Sequence, residues 1–233
     1  MMFPNNKPGR INKILTITFL LTLSACWNFH TVPKAIKRNF TYCYDGKKTG
    51  IESKLNINGY FVSAEPFDRY MIGNFKKHEI DTFYNYTMFF EDGIFVDNFQ
   101  DENLIRKLKG QSNIQQYIKE IIEDKGSKSS SLFYESGRWG RYIINGDTIK
   151  GQYIAHYGYL WPAFEIWYKI IDRNTFIEFN WKSIDKMSKT DLQNEEAYKR
   201  EKKYYPSKFI PLPAKPSSDC WLKKEDWFWC KNR

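Results

Sequence analysis

Three turn signals in series constrain this chain more than any other feature. In FYNYTMFFEDGIFVDNF, Phe83 to Phe99, two aromatic-rich runs flank Glu91-Asp92-Gly93. In RWGRYIINGDTIKGQYIAHYG, Asn145-Gly146 separates Trp139–Ile144 from Thr148–Ala155, and in AFEIWYKIIDRNTFIEFNWK the turn falls at Asp172-Arg173-Asn174. Asp-Gly and Asn-Gly accept the positive φ of tight hairpin turns, so each unit reads as strand, turn, strand. Phe164, Ile166, Tyr168 and Ile170 share one face of their strand, while Glu165, Trp167 and Lys169 share the other. One apolar and one polar face per strand is the pattern of an antiparallel sheet. The run KLNINGYFV, Lys54 to Val62, also alternates, and predicts one more strand before the first hairpin. The fold class expected is mainly β (α+β): a curved antiparallel sheet or barrel built from hairpins, with one or two peripheral helices.

Helical patterns are fewer. Ile114, Tyr117, Ile118 and Ile121 fall on one face of a helix expected over Asn113–Asp124. The stretch GSKSSS, Gly126 to Ser131, reads as a solvated loop. Thr190 and Gln193 have capping-box spacing ahead of a charged, helix-prone segment. Four prolines between Pro206 and Pro216 predict an extended strap rather than regular structure. The glycine-aromatic first strand followed by WGRYIINGDTIKGQ resembles lipocalin-like domains of bacterial lipoproteins, with Gly59-Tyr60-Phe61 standing where lipocalins carry Gly-x-Trp. That resemblance implies a cup with a ligand cavity.

The N-terminal segment supplies a second resemblance. Lys7, Arg10 and Lys13 precede an apolar run from Ile14 to Leu23, the basic-then-apolar layout of an export signal. The run is far shorter than the roughly 20 residues that cross a bilayer. It ends in Leu23-Ser24-Ala25-Cys26, which resembles the lipobox of bacterial lipoproteins. The resemblance implies cleavage before Cys26 and acylation of its thiol; Trp27 in place of Asp implies an outer-membrane home, and the lack of an acidic run after Cys26 implies a position facing the periplasm. The expected organisation is a signal peptide over 1–25, a lipidated tether over 26–50, a β domain with an inserted helix over 51–205, and a Pro-, Trp- and Lys-rich strap over 206–233. The chain has 36 basic and 27 acidic residues, a formal charge of +9. Removing the three basic residues of the signal leaves about +6, which draws a protein to anionic envelope surfaces. Nucleic acid is not an expected partner, because an exported lipoprotein seldom meets it.

Signals for catalysis are missing from the motifs. There is no Gly-x-Ser-x-Gly, His-Glu-x-x-His, Walker glycine loop or Gly-x-Gly-x-x-Gly. The histidines are His30, His78 and His156, and His156 at a strand end reads as structural. Glu165 and Glu178 lie on neighbouring predicted strands, so a facing carboxylate pair of glycosidase type is conceivable, although any hairpin supplies such pairs. Asp97, Asp101 and Glu102 lack the fixed spacing of a calcium loop. With Cys26 acylated, Cys43, Cys220 and Cys230 remain. Either Cys220 and Cys230 close a short loop or Cys43 staples the N-terminal end to the tail. Cys-x9-Cys without a neighbouring His does not suit structural zinc, so no metal and no cofactor is expected.

Aromatic residues are in excess, with eight Trp, sixteen Tyr and eighteen Phe. Trp139, Trp161, Trp167 and Trp181 cannot all share one inward face, and are the candidate lining of a ligand pocket. Trp221, Trp227 and Trp229 lie among lysines in the tail, a mixture that suits a membrane interface or a tail packed over the open end of the sheet. The expected function is a non-catalytic, lipid-anchored envelope protein that binds a small apolar ligand, a lipid or a glycan. The alternative is an assembly lipoprotein that binds another envelope protein, and a hydrolase ranks last.

Overall fold

The computed structural model describes residues 31–68, 80–98, 111–155, 161–184 and 204–232. Lys34–Arg233 forms one compact unit. Its frame is eight strands: β1 Gly59–Asp68, β2 Ile80–Phe89, β3 Ile94–Asp97, β4 Arg138–Asn145, β5 Thr148–Ile154, β6 Ala163–Asp172, β7 Thr175–Ser183 and β8 Pro206–Pro211. Each pairs antiparallel with the next, and β8 returns to β1 from Gly59↔Pro211 to Val62↔Lys208, so the sheet is a closed barrel. Closure leaves no open sheet edge.

The three predicted hairpins are β2–β3, β4–β5 and β6–β7. Gly93 carries the positive φ of the first turn, at 83°. In the second, Asn145 pairs with Thr148, so the loop is Gly146-Asp147, one residue later than expected, and only Gly146 has positive φ. In the third, the Asn174 amide donates to Asp172 Oδ1 at 2.7 Å, an Asx turn.

The first predicted strand starts late. Ile51–Ser53 is a 3-10 turn, the Leu55 amide donates to the Ile51 carbonyl, and the ladder begins only at Gly59. Residues 49–56 instead cross the hairpin end of the barrel. Thr49 donates to the Glu91 carbonyl, Lys54 lies 3.5 Å from Asp147, and Asn56 donates to the Arg173 carbonyl. Ile51 and Leu55 are thereby fully buried as a plug under the interior.

The proline-rich strap also begins differently from expectation. Pro206–Pro211 is β8, the strand that closes the barrel, with a proline at each end where a missing N–H ends a ladder cheaply. Helix α1 (Lys34–Asn39) precedes the barrel, and α2 (Gln111–Glu123) is the predicted amphipathic helix, with Ile114, Tyr117, Ile118 and Ile121 buried. GSKSSS is not only loop: Ser127 caps a helical turn over Lys128–Ser131, accepting from the Ser130 amide at 3.0 Å. The helix expected after Thr190 lies outside the described residues.

The two ends of the compact unit meet on the outer wall. Gln152 faces outward and its Oε1 accepts from the amides of Thr41 and Tyr42, at 2.7 and 3.1 Å. Tyr44 bridges Trp229, and Phe40 and Tyr44 pack on Phe228 with centroids 5.8 Å away in each case. That pairing puts the Cα atoms of Cys43 and Cys230 4.9 Å apart, and these two form the disulfide. The short Cys220–Cys230 loop does not form, because Cys220 is turned into the packing and remains a free, buried thiol. Asp92 Oδ2 ties the tail to the β2–β3 turn, accepting from Lys223 Nζ and Ser218 Oγ at 2.8 Å each and from Tyr44 Oη at 3.0 Å.

Candidate functional site

Strand alternation divides the barrel interior into two zones. At the hairpin end, above the Ile51–Leu55 plug, Phe61, Phe89, Phe95, Tyr142, Tyr168 and Phe176 fill the space. Their rings meet at 4.8 Å for Phe61–Phe176, 5.4 Å for Phe89–Tyr142 and 5.7 Å for Phe89–Tyr168. Edge-to-face contacts of this kind make a dense apolar floor. A Cβ added at Gly151 would sit 2.6 Å from the Phe95 ring, so the glycine makes the room that this ring occupies.

Toward the other end the inward positions of β1 to β4 turn polar, while Tyr153, Phe164 and Trp181 of β5 to β7 stay aromatic. The register row Thr87↔Asp97↔Arg138 crosses β2, β3 and β4, and Tyr168↔Glu178 lies across β6 and β7. Asp97 is 2 % exposed, and its Oδ1 accepts from Thr87 Oγ1 at 3.2 Å and from Tyr168 Oη at 3.3 Å. Arg138 stands 3.9 Å from the same carboxylate. Burial, then the charges of Asp97 and Glu178, push the Tyr168 hydroxyl well above the usual tyrosine value, so it stays a proton donor. Ser63 is buried on the inward side of β1, and its register partner Asn85 has a buried Oδ1 without a hydrogen-bond partner among the described residues. These groups can hold a polar partner by hydrogen bonding and charge. Among the described residues the interior carries no histidine or cysteine, and no cluster of three His, Cys, Asp or Glu is placed to hold a metal ion.

The four candidate tryptophans do not converge. Trp139 is fully buried outside the wall, where its Nε1 donates to the Phe133 carbonyl at 2.6 Å and its ring packs on Phe133 and Phe90. Trp161 packs on Trp221 of the tail at 5.6 Å. Trp167 lies on the outer surface beside Lys150, Phe179 and Asn180, in a shallow groove of about 380 Å³, with Lys182 Nζ 5.2 Å over its ring. Trp181 alone packs against the interior cluster, touching Phe164 at 5.8 Å. A β-bulge after Trp167 shifts the parity of β7, which neither composition nor alternation announces.

The same bulge separates the two carboxylates. Glu165 faces outward, where Gln152 Nε2 donates to it at 2.7 Å and Lys182 stands 3.2 Å away, whereas Glu178 pairs with inward Tyr168. They do not form a facing acid and nucleophile pair. Burial and Glu165 push the Tyr42 hydroxyl up to about 12. Asp97 belongs to the interior row rather than to a loop with Asp101 and Glu102, which lie outside the described residues, as do His30, His78 and His156. Thr87 and Arg138 escape a reading of the sequence, and Asp97 reads there only as part of an acidic cluster, because all four residues of β3 are buried, which erases the alternation that would mark Phe95 and Asp97 as sharing a face. No family model, curated protein or solved structure matches this chain.

Proposed function

We propose that this is a lipid-anchored cell-envelope protein whose barrel is a non-catalytic binding module for a ligand with a polar head, a glycan or a lipid headgroup. The observation that carries this reading is the two-zone interior: a sealed aromatic floor at the hairpin end and the Thr87–Asp97–Arg138 row with Tyr168 and Asn85 above it. A ligand approaching from the polar end meets hydrogen-bonding groups first, and any apolar part reaches the aromatic rings below. A wholly apolar ligand fits less well, because it would strip partners from a buried carboxylate. Acylation of Cys26 would hold the domain at the outer membrane, facing the periplasm, since several acyl chains together resist release.

Native mass spectrometry of the chain purified from the cell envelope tests the binding module. A reproducible added mass, released on denaturation and reduced in Asp97→Asn, is the expected result. A clean ligand-free mass for the wild-type chain, at several growth stages, overturns it and favours the assembly reading.

A further inference from the structure

Helix α1 and the end of the tail build a basic, tryptophan-bearing face outside the barrel. Lys34, Lys37, Arg38, Trp227 and Asn232 line a shallow groove of about 400 Å³. Helix α1 contains three cations in six residues and no acid. Lys37 Nζ lies 5.7 Å from the centroid of Trp227 and 3.6 Å from Glu225, which also accepts from the Trp227 indole at 2.6 Å. Lys231 stacks over Trp229 at 5.2 Å. Among the described residues no carboxylate pairs with Lys34 or Arg38. Glu225 and exposed Asp226 are the acids nearby in sequence, so cations outnumber them on this face.

We infer that this face docks on an anionic bilayer, with Lys34, Lys37 and Arg38 on headgroup phosphates and Trp227 at the interface. Charge complementarity is one argument: each cation near an anionic leaflet contributes about 1 kcal/mol, or about fivefold in affinity. An indole half-buried among lysines is the side-chain mixture found at membrane interfaces. Chain length is the other argument, and it rests on the anchoring reading above. Lys34 follows Cys26 by eight residues, a span of at most about 29 Å, so an acylated Cys26 keeps α1 within reach of the leaflet. The docked face would then fix which side of the barrel meets the membrane.

Hydrogen exchange tests the inference on the full chain from the envelope, reconstituted into phosphatidylcholine vesicles with none or about 30 % phosphatidylglycerol. The expected result is slower exchange over 34–39 and 226–232 on the anionic vesicles only. The variant K34Q/K37Q/R38Q loses the effect while β4 and β5 keep wild-type protection. Titrating the phosphatidylglycerol fraction reads about fivefold weaker docking for each cation removed. Equal exchange on both vesicle types overturns the inference, as does protection that needs an envelope protein extract. A chain that proves not to be acylated is added to preformed vesicles for the same comparison, so loss of the anchoring reading and loss of the docking face are read separately.

Discussion

Lys215 is an unusual placement for a lysine. Its Nζ donates to the carbonyls of Ile57, at 2.6 Å, and Phe89, and lies 4.2 Å from the centroid of Phe90. Burial pulls its pKa down to about 7, against the opposing pull of Asp92 and Glu91. An unfolded chain keeps this lysine protonated to about pH 10.4. Between pH 7 and 10 the unfolded state therefore binds the additional proton, and stability rises with pH, by on the order of 5 kcal/mol across the window. Lys48 and Lys223 have raised values, and Tyr42 and Tyr60 are pushed to about 12, so their contributions change above this window. The Cys220 thiol, also pushed up to about 12, takes back on the order of 1 kcal/mol near the upper end of the window, less than Lys215 adds. Urea unfolding at pH 7 and pH 9.5 should give a higher midpoint at the alkaline pH, and Lys215→Met should flatten the difference. The variant should be weaker than wild type at pH 9.5 by about 1–3 kcal/mol, because two carbonyls lose their donor. A flat wild-type profile would mean that Lys215 keeps its proton when the chain folds.

The hairpin elements were legible because their signals are local: a turn dipeptide with alternating residues on either side fixes strand, turn and strand together. β8 was not, since prolines argue against a strand unless they sit at its ends, and its partners β7 and β1 are distant in sequence. The plug escaped for a related reason: Leu55 and Ile57 continue the alternation of β1, yet the chain turns to cover the barrel end. Two predictions belong to these elements. Gly151 of β5 faces Phe95 of β3, and all three atoms nearest an added Cβ are in that ring, between 2.6 and 3.4 Å. Gly151→Ala should cost about 1–3 kcal/mol, and much less in a Phe95→Leu background, a coupling that a double-mutant cycle measures. At the β2–β3 turn, burial raises the Asp92 pKa, but the hydrogen bonds from Lys223 and Ser218 outweigh it and hold the carboxyl below its usual value. Its stabilisation is complete above about pH 4 and is lost as pH falls through the depressed value. Asp92→Asn leaves Lys223, with 15 % of its side chain exposed, only the exposed Asp219 at 3.6 Å as a charged partner among the described residues, and should cost about 1.5–3 kcal/mol, read as earlier proteolysis of the tail.

At the scale of the molecule, the barrel class was readable while the interior row was not. Closure, the bulge in β7 and the uniformly buried β3 decide which residues meet inside; closure depends on partners far apart in the chain, and the bulge, though it lies within one hairpin, carries no turn dipeptide or break in composition that marks it. The disulfide is similarly long-range: Cys43 and Cys230 are 187 residues apart, so the bond constrains nearly the whole unfolded unit. Chain entropy alone assigns such a loop about 5 kcal/mol, and Cys43→Ser with Cys230→Ser should lose about 3–5 kcal/mol in denaturant unfolding. Phe40, Tyr44 and Phe228 still pack, so the folded barrel should persist without it. The same cysteines give a test of the anchor. Cys220 is 1 % exposed and burial pushes its thiol up to about 12, so the folded chain should not label with a maleimide through it. Unfolded without reductant, the chain purified from its native host keeps Cys43 and Cys230 bonded and exposes Cys220. If Cys26 is an acylated thioether, maleimide then adds once, and the intact mass exceeds that of the polypeptide from Cys26 by the lipid. Two additions with no lipid mass would mean that Cys26 is an ordinary thiol, and the protein would lose its membrane anchor while keeping its barrel.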